Sequence, residues 1–348
     1  MPEVFRADSL GAGRVGTFGP GRVLIPYAIV GFMTALEDAA RAAQHAPSVF
    51  NTQPWSWRIT GDSMELFADP ERQLDAVDKE GRLLLLSCGT ALHHARVALA
   101  AAGIEVSVSR DIAGNHLATL HAGGRTAPAQ ADLAAAIRAR HSDRRAFGER
   151  PVTEEELTTL RRLVEAEGAY LHVVRPDQVA ELAISAERAS LAERDDPAYQ
   201  ADLARWTSRP DFAGDGVPPA AGVRPELRRV PIRDFDPSGT AAQPAGEEHD
   251  QGAAYVVLFG RSDTPVELLR GGEALSALLL RATADGLSTS VISDAIEVEW
   301  PRVLVRGLIA GIGEPYVVVR LGYRPDSAPP PPTPRRDPRD VITVVEQQ

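Results

Sequence analysis

Apolar positions along this chain switch repeatedly between a spacing of three to four and a spacing of two, which predicts a mixed helix and strand protein. Ala35–Ala46 reads as a helix with an alanine-rich face. Pro47 stops it, because proline lacks an amide proton and biases the preceding residue away from helix. Trp55–Phe67 alternates as a hairpin about Gly61-Asp62, and Asp69-Pro70 ends it. Arg82–Ala102 is the strongest apolar helix, with Gly103 as its cap. Strands follow at Ile104–Arg110 and Leu117–His121, then a helix at Ala129–Arg140. Thr153-Glu154-Glu155-Glu156 is a capping box that opens another helix. Tyr170–Val174 reads as a strand and Pro176–Arg194 as a helix.

From Asp195 to His249 the chain is rich in Pro, Gly and Asp, broken by a short helix at Tyr199–Trp206. A structure-poor stretch of this length is either a binding loop or an ordinary surface loop. Beyond it come a strand at Ala254–Phe259, an apolar helix at Val266–Asp285 and a strand at Ser290–Ser293. A helix at Glu299–Ala310 and a strand at Tyr316–Leu321 complete the pattern. The tail Pro329–Arg336 is proline-rich and extended.

The two strongest helices match each other. Gly89-Thr90-Ala91-Leu92 and Gly103-Ile104 on the first correspond to Gly272-Glu273-Ala274-Leu275 and Gly286-Leu287 on the second. The offset is constant: 272 − 89 and 286 − 103 both give 183. Leu85 and Leu86 match Leu268 and Leu269 at the same offset. A duplication predicts an α+β fold of two similar halves around two central apolar helices, packed as subunits of a homodimer pack. Residues 34–135 would form the first half and 136–342 the second, with 1–33 a flexible extension.

Composition narrows the partners. The formal net charge of -11 argues against nucleic acid, whose phosphates demand Lys and Arg. No run reaches the roughly 20 apolar residues of a membrane span, which argues against a membrane partner. The single cysteine, Cys88, lies in an apolar run and reads as a packing residue. A reducing cytoplasm fits that usage.

Four segments could carry chemistry. Ala46–Trp55 places Pro47, Ser48, Asn51, Thr52 and Gln53 between a helix and a strand. Their uncharged donors and acceptors suit a neutral heterocycle, or they simply form a helix stop before a packed Trp. Arg138–Phe147 holds Arg138, Arg140, Arg144 and Arg145 within eight residues, beside Ser142. Guanidinium forks match phosphate oxygens, though cations at a solvated helix end also complement the helix dipole. Gly286, Ser288 and Thr289 follow the second repeat helix and would let a flat ligand approach backbone amides, or merely cap that helix. Arg320 sits on an apolar strand, where it needs a partner, and Arg335-Arg336 close the proline-rich tail. There is no phosphate-binding Gly-rich loop, no metal motif and no Ser nucleophile elbow. Adjacent His93 and His94 read as structural residues pointing in different directions.

Together these segments resemble the nitroreductase superfamily, and more closely its Acg branch of FMN-binding proteins. The resemblance spans residues 34–342 and rests on Pro47–Trp55, Leu84–Gly89, Arg140–Phe147, Gly272–Leu275, Gly286–Ser288 and Thr333–Arg336. It implies a nitroreductase-like fold fused into a pseudo-dimer, with one complete FMN site and one vestigial site. Arg140, Ser142 and Arg144 would hold the phosphate of non-covalent FMN, helped by Arg320, Arg335 or Arg336. Pro47, Ser48, Asn51 and Gln53 would border the ring or ribityl chain, and Gly286, Ser288 and Thr289 the ring's polar edge. The flavin would carry reducing equivalents from NADPH or NADH to an electron-poor small-molecule substrate, and no side-chain acid or base is implied. The fused form favours a monomer, with a homodimer as the other possibility.

Phe50 stands where this branch often has His. A lid-like loop at about 204–240 would cover the flavin. Both features leave open a protein that stores or sequesters FMN with little reductase turnover.

Overall fold

The computed structural model describes residues 27–346 except 225, 227, 236–242, 247–248 and 325–328. The expected extension falls mostly on 1–26, outside the described residues. In chain order the elements are α1 (Tyr27–Ala43), β1 (Trp55–Thr60), β2 (Ser63–Ala68), α2 (Arg82–Ala101), β3 (Ile104–Ser109), β4 (His116–Arg125) and α3 (Ala131–Ala139). Then come α4 (Glu154–Ala166), β5 (Tyr170–Val173), α5 (Val179–Asp195), α6 (Pro197–Thr207), β6 (Ala254–Gly260) and α7 (Pro265–Ala284). The chain closes with β7 (Ser288–Ile292), α8 (Asp294–Glu297), α9 (Glu299–Leu308), β8 (Glu314–Gly322), α10 (Pro338–Val341) and β9 (Ile342–Val345).

Two differences from the sequence reading matter. Helix α1 begins at Tyr27 and so takes in Tyr27–Met33, which the apolar run at 27–32 makes possible. The short C-terminal strand β9 pairs in parallel with β1, with Trp57 opposite Ile342 and Thr60 opposite Val345.

The sheets obey one plan. The first runs β3-β4-β2-β1, with β9 added at the edge. The second, read from its far end, runs β7-β8-β6-β5. Every neighbouring pair in both runs is antiparallel. Each half therefore orders its strands third, fourth, second, first. In each half a long apolar helix lies between the second and third strands, α2 in one and α7 in the other.

Helices α2 and α7 pack on each other through their repeat-matched residues. A methyl on Gly89 would overlap Leu269 O, and one on Gly272 would overlap Leu86 O. Leu86 and Leu269 are themselves 183 apart. Each half thus meets its counterpart at equivalent positions, as subunits do across a two-fold axis. Farther along, Ser276 Oγ lies 2.8 Å from Nδ1 of both His93 and His94. The two histidines share one partner after all, because the close helix approach brings Ser276 between their rings. Burial lowers the His93 pKa to about 4 and holds that of His94 well below its ordinary value. Helix α2 has the length and apolar composition of a membrane span, but most of it is buried here. Cys88 is fully buried on it, with Sγ 3.2 Å from Pro54 O.

Candidate functional site

The turn between α1 and β1 is strained. Phe50, Asn51 and Gln53 have φ of 45°, 54° and 49°. Left-handed backbone costs a non-glycine residue on the order of 1–3 kcal/mol and persists where surroundings enforce it. Here α2 enforces it: Ser87 Oγ accepts from Val49 N at 3.1 Å, and Thr90 Oγ1 donates to Pro47 O at 2.6 Å. Ser48 Oγ accepts from Gln53 N at 2.9 Å. Asn51 Nδ2 donates to Gly216 O at 2.9 Å and Pro334 O at 3.1 Å, so the turn also ties down the long loop and the tail.

Opposite this turn stands the segment after α3. Its backbone is fixed to β7, with Asp143 N donating to Thr289 O at 2.8 Å. Arg320 fixes it further by donating to Asp143 O at 2.8 Å and Arg145 O at 2.9 Å. Between the two segments runs a cleft. One part, about 450 Å³, is lined by Arg140, Ser142, Arg144, Arg335, Thr333 and Asn51. The adjoining part, about 600 Å³, is lined by apolar Leu83, Leu86, Leu275, Val291 and Val317, with Ser87, Thr90 and Ser293 as hydroxyls and Phe235 as a further wall. Pro47, Ser48, Phe50, Ser142 and Arg144 border both parts.

The first part is built for an anion. Among the described residues no carboxylate pairs with Arg140, Arg144 or Arg335. Burial lowers the pKa of Arg140 to about 9, with Arg335 adding repulsion. Burial likewise lowers Arg144 and Arg335 to about 10. Nε of Arg140 and of Arg335 is buried without a hydrogen-bond partner among the described residues. His45 O accepts from both guanidiniums, at 3.4 and 3.1 Å. Clustered cations short of acceptors are a cost that an incoming multidentate oxyanion removes.

Several expected site residues lie elsewhere. Arg320 is fully buried and ion-paired to Asp250 at 2.7 Å, so it braces the arginine segment from behind. Gln53 is spent on Gly214 O and Arg336 N, and Arg336 donates to Gln53 O. Gly286 is exposed, with a φ of 82° that caps α7. Ser288 and Thr289 sit on β7 before its strand reaches the cleft; Val291 and Ser293 line it instead. Sequence reading also missed Phe235 and Arg233, which sit in the long loop without any periodic signal. Phe235 meets Phe50 edge-on at 5.4 Å and carries the Arg144 guanidinium 4.4 Å above its ring.

The pseudo-two-fold generates a second cleft position, and it is filled. Thr90 and Ser293 of the first cleft correspond to Glu273 and Arg110 (90 + 183 and 293 − 183). Arg110 donates to both Glu273 oxygens at 2.7 and 2.8 Å. Arg96 bridges Glu273 and Glu167 at 2.7 and 2.6 Å. Four ion-paired side chains therefore occupy what is a cleft on the other side.

Two α+β halves, related by a pseudo-two-fold and enclosing a cleft lined by arginines, define a single-chain version of a two-subunit architecture. The chain belongs to the nitroreductase family, within its Acg branch. It is 37% identical over 314 residues to Rv3131 of Mycobacterium tuberculosis strain H37Rv, provisionally named an NAD(P)H nitroreductase, covering 88% of this chain and 90% of that one. To the same organism's protein acg, which carries the same provisional name, it is 35% identical over 317 residues, covering 89% and 95%. The FMN-dependent nitroreductase NfnB from Mycobacterium smegmatis, solved with NADPH, aligns with 61% of this chain and 97% of its own at 19% identity and a TM-score of 0.39. No family model matches the chain.

Proposed function

We propose that this chain is an FMN-dependent oxidoreductase that passes reducing equivalents from NADPH or NADH to an electron-poor small molecule. The single observation that carries the reading is the cluster of buried Arg140 with part-buried Arg144 and Arg335 beside an apolar cleft, with no carboxylate paired to them among the described residues. These residues fit FMN. The three arginines and Ser142 suit a phosphate, and the adjoining walls of Leu83, Leu86, Leu275 and Val291 suit a flat aromatic ring. When bound, FMN supplies the two-electron chemistry that no side chain here provides. The protein's part is to bind, orient and exclude water: Pro47, Ser48 and Phe50 border the ring side, and Arg320 and Asp250 keep the arginine segment in place. The names of Rv3131 and acg support a nicotinamide donor.

The reading carries one flavin per chain, residues 34–135 and 136–342 as the fused halves, and a monomer in the cytoplasm. Purified protein, reconstituted with FMN and freed of excess, should release about one FMN per chain on denaturation. No retained flavin would overturn the reading. Two per chain would overturn the single site, and light scattering would expose a dimer.

A second reading is FMN storage. It is favoured by the packing of Phe235 and Arg233 against Phe50 at the cleft. Rapid anaerobic bleaching of bound flavin by NADPH or NADH would exclude storage alone; no bleaching by either would favour it.

A further inference from the structure

A second cleft, about 1100 Å³, lies outside the site described above. It opens between the start of α2, the end of α5 and the α8–α9 junction. Leu83 borders it and also the apolar part of the first cleft, so the two are neighbours.

Its inner end is a surplus of negative charge. Glu193 and Glu297 both face Arg233, at 3.1 and 2.6 Å. Asp294 is buried beside them. Asp78, also buried, spends its two oxygens on Leu83 N and Leu84 N at 3.0 and 2.8 Å. Arg233 thus serves Glu193, Glu297 and Asp294 together, while Arg82 acts on Asp78. The Glu297 side chain is 1% exposed and lines the cleft. Its Oε2 accepts from Arg233 and from Tyr199 Oη at 3.3 Å, while its Oε1 has no hydrogen-bond partner among the described residues. A buried carboxylate oxygen without a donor is costly. Burial pushes Asp294 and Asp78 up to about 7 and raises Glu297 too, with repulsion from the neighbouring carboxylates adding to it.

Val77, Leu83, Ala192 and Ile296 give the cleft an aliphatic wall, while Lys79, Arg82 and Arg302 also line it and are outnumbered there by six carboxylates. Among the described residues no group of three His, Cys, Asp or Glu side chains has the arrangement to hold a metal ion. We propose that this cleft binds an aliphatic amine, with its ammonium group on Glu297 and its alkyl chain along Val77, Leu83 and Ile296. An ammonium supplies the donor that Oε1 lacks and offsets the surplus charge, and a chain of methylenes covers the apolar wall. The site needs no flavin and stands independently of the function proposed above.

The test is calorimetric titration with n-hexylamine, which is fully charged at pH 7.5, against the neutral isostere 1-hexanol. Wild-type protein should bind about one hexylammonium per chain saturably, and 1-hexanol should bind at least tenfold more weakly. Glu297→Gln should weaken hexylammonium binding at least tenfold. Because that change also touches the Arg233 pair, Ala192→Trp serves as a second variant. Ala192 is exposed at the mouth, and its replacement should abolish binding without lowering the melting temperature or altering FMN retention. Absence of saturable binding to wild type overturns the site. So does equal affinity for 1-hexanol, or undiminished binding in the Ala192→Trp protein.

Discussion

Gly89 and Gly272 touch across the pseudo-two-fold, each lying where a side chain on the other would collide with the partner helix. A methyl on Gly89 would stand 2.8 Å from Gly272 Cα as well as overlapping Leu269 O. Backbone cannot yield as a flexible side chain does, so Gly89→Ala must push α2 and α7 apart. Overpacking of this kind costs about 1–3 kcal/mol or more. The expected result is a clear fall in urea midpoint, and the same fall for Gly272→Ala. A variant as stable as wild type would show that the helices separate freely.

Arg140 should have opposite effects on the empty and loaded protein. Its pKa is lowered to about 9 by burial, with Arg335 repelling it. The folded state therefore binds fewer protons than the unfolded chain from about pH 9 upward, and stability rises with pH through that window. At pH 7 the whole penalty of the buried charge is present. Arg140→Ala should leave the FMN-free protein as stable as wild type or more so. It should also weaken FMN binding by roughly 1.5–3 kcal/mol, the worth of a charged hydrogen bond. Equal dissociation constants in a fluorescence titration would remove Arg140 from the site.

Asp78 gives a pH signature with a definite sign. Burial pushes its carboxyl up to about 7, against the pull of the Leu83 and Leu84 amides, with Glu297 raising it further and Arg82 lowering it. The folded state then takes up a proton that the unfolded chain binds only near pH 4. This contribution to stability is present at low pH and lost as pH rises toward 7, by at most about 1.4 kcal/mol per unit. His45 and His93, held down to about 4, act in the other direction. They are common to wild type and Asp78→Asn, so the difference between the two proteins isolates Asp78. Urea unfolding from pH 5 to 7.5 should show wild type losing stability relative to Asp78→Asn as pH rises. A constant difference would mean that Asp78 stays charged throughout.

What the sequence made legible follows from what is locally periodic. The two apolar helices and their offset of 183 were readable because packing across a two-fold repeats the same residues, Gly89 with Gly272 and Leu86 with Leu269. The turn at Pro47–Gln53 and the pair Arg140 and Arg144 were readable because polar residues there interrupt two regular elements. The parallel strand at Ile342–Val345 was not, since four residues with three exposed carry no pattern. Arg320 read as a phosphate ligand because its partner, Asp250, lies 70 positions away in a loop. The displacement from Gly286–Thr289 to Val291–Ser293 was recoverable in principle. The same offset maps Ser293 onto Arg110, whose charge marks the filled cleft.

Arg233 joins the long loop to the cleft, and it is where turnover and storage diverge. Its guanidinium pairs with Glu193 and Glu297 and lies 4.9 Å from the Phe50 ring, 5.6 Å from Phe235 and 5.7 Å from Tyr199. Burial works against its charge, but Glu297 and its neighbours outweigh that and hold the pKa well above the ordinary arginine value. Arg233→Gln leaves the carboxylates buried without their cation, which costs about 3–5 kcal/mol. Because the interaction ties a loop to α5 and α8, the loss should appear first as local release of residues 204–235. Limited proteolysis should then cut near Phe235 faster than in wild type. If the loop restrains access to bound flavin, stopped-flow reduction by NADPH should accelerate in the same variant, and Arg233→Lys should restore part of the restraint. Faster proteolysis with an unchanged reduction rate would separate the loop's anchoring from the chemistry. It would also leave Arg233 a purely structural residue.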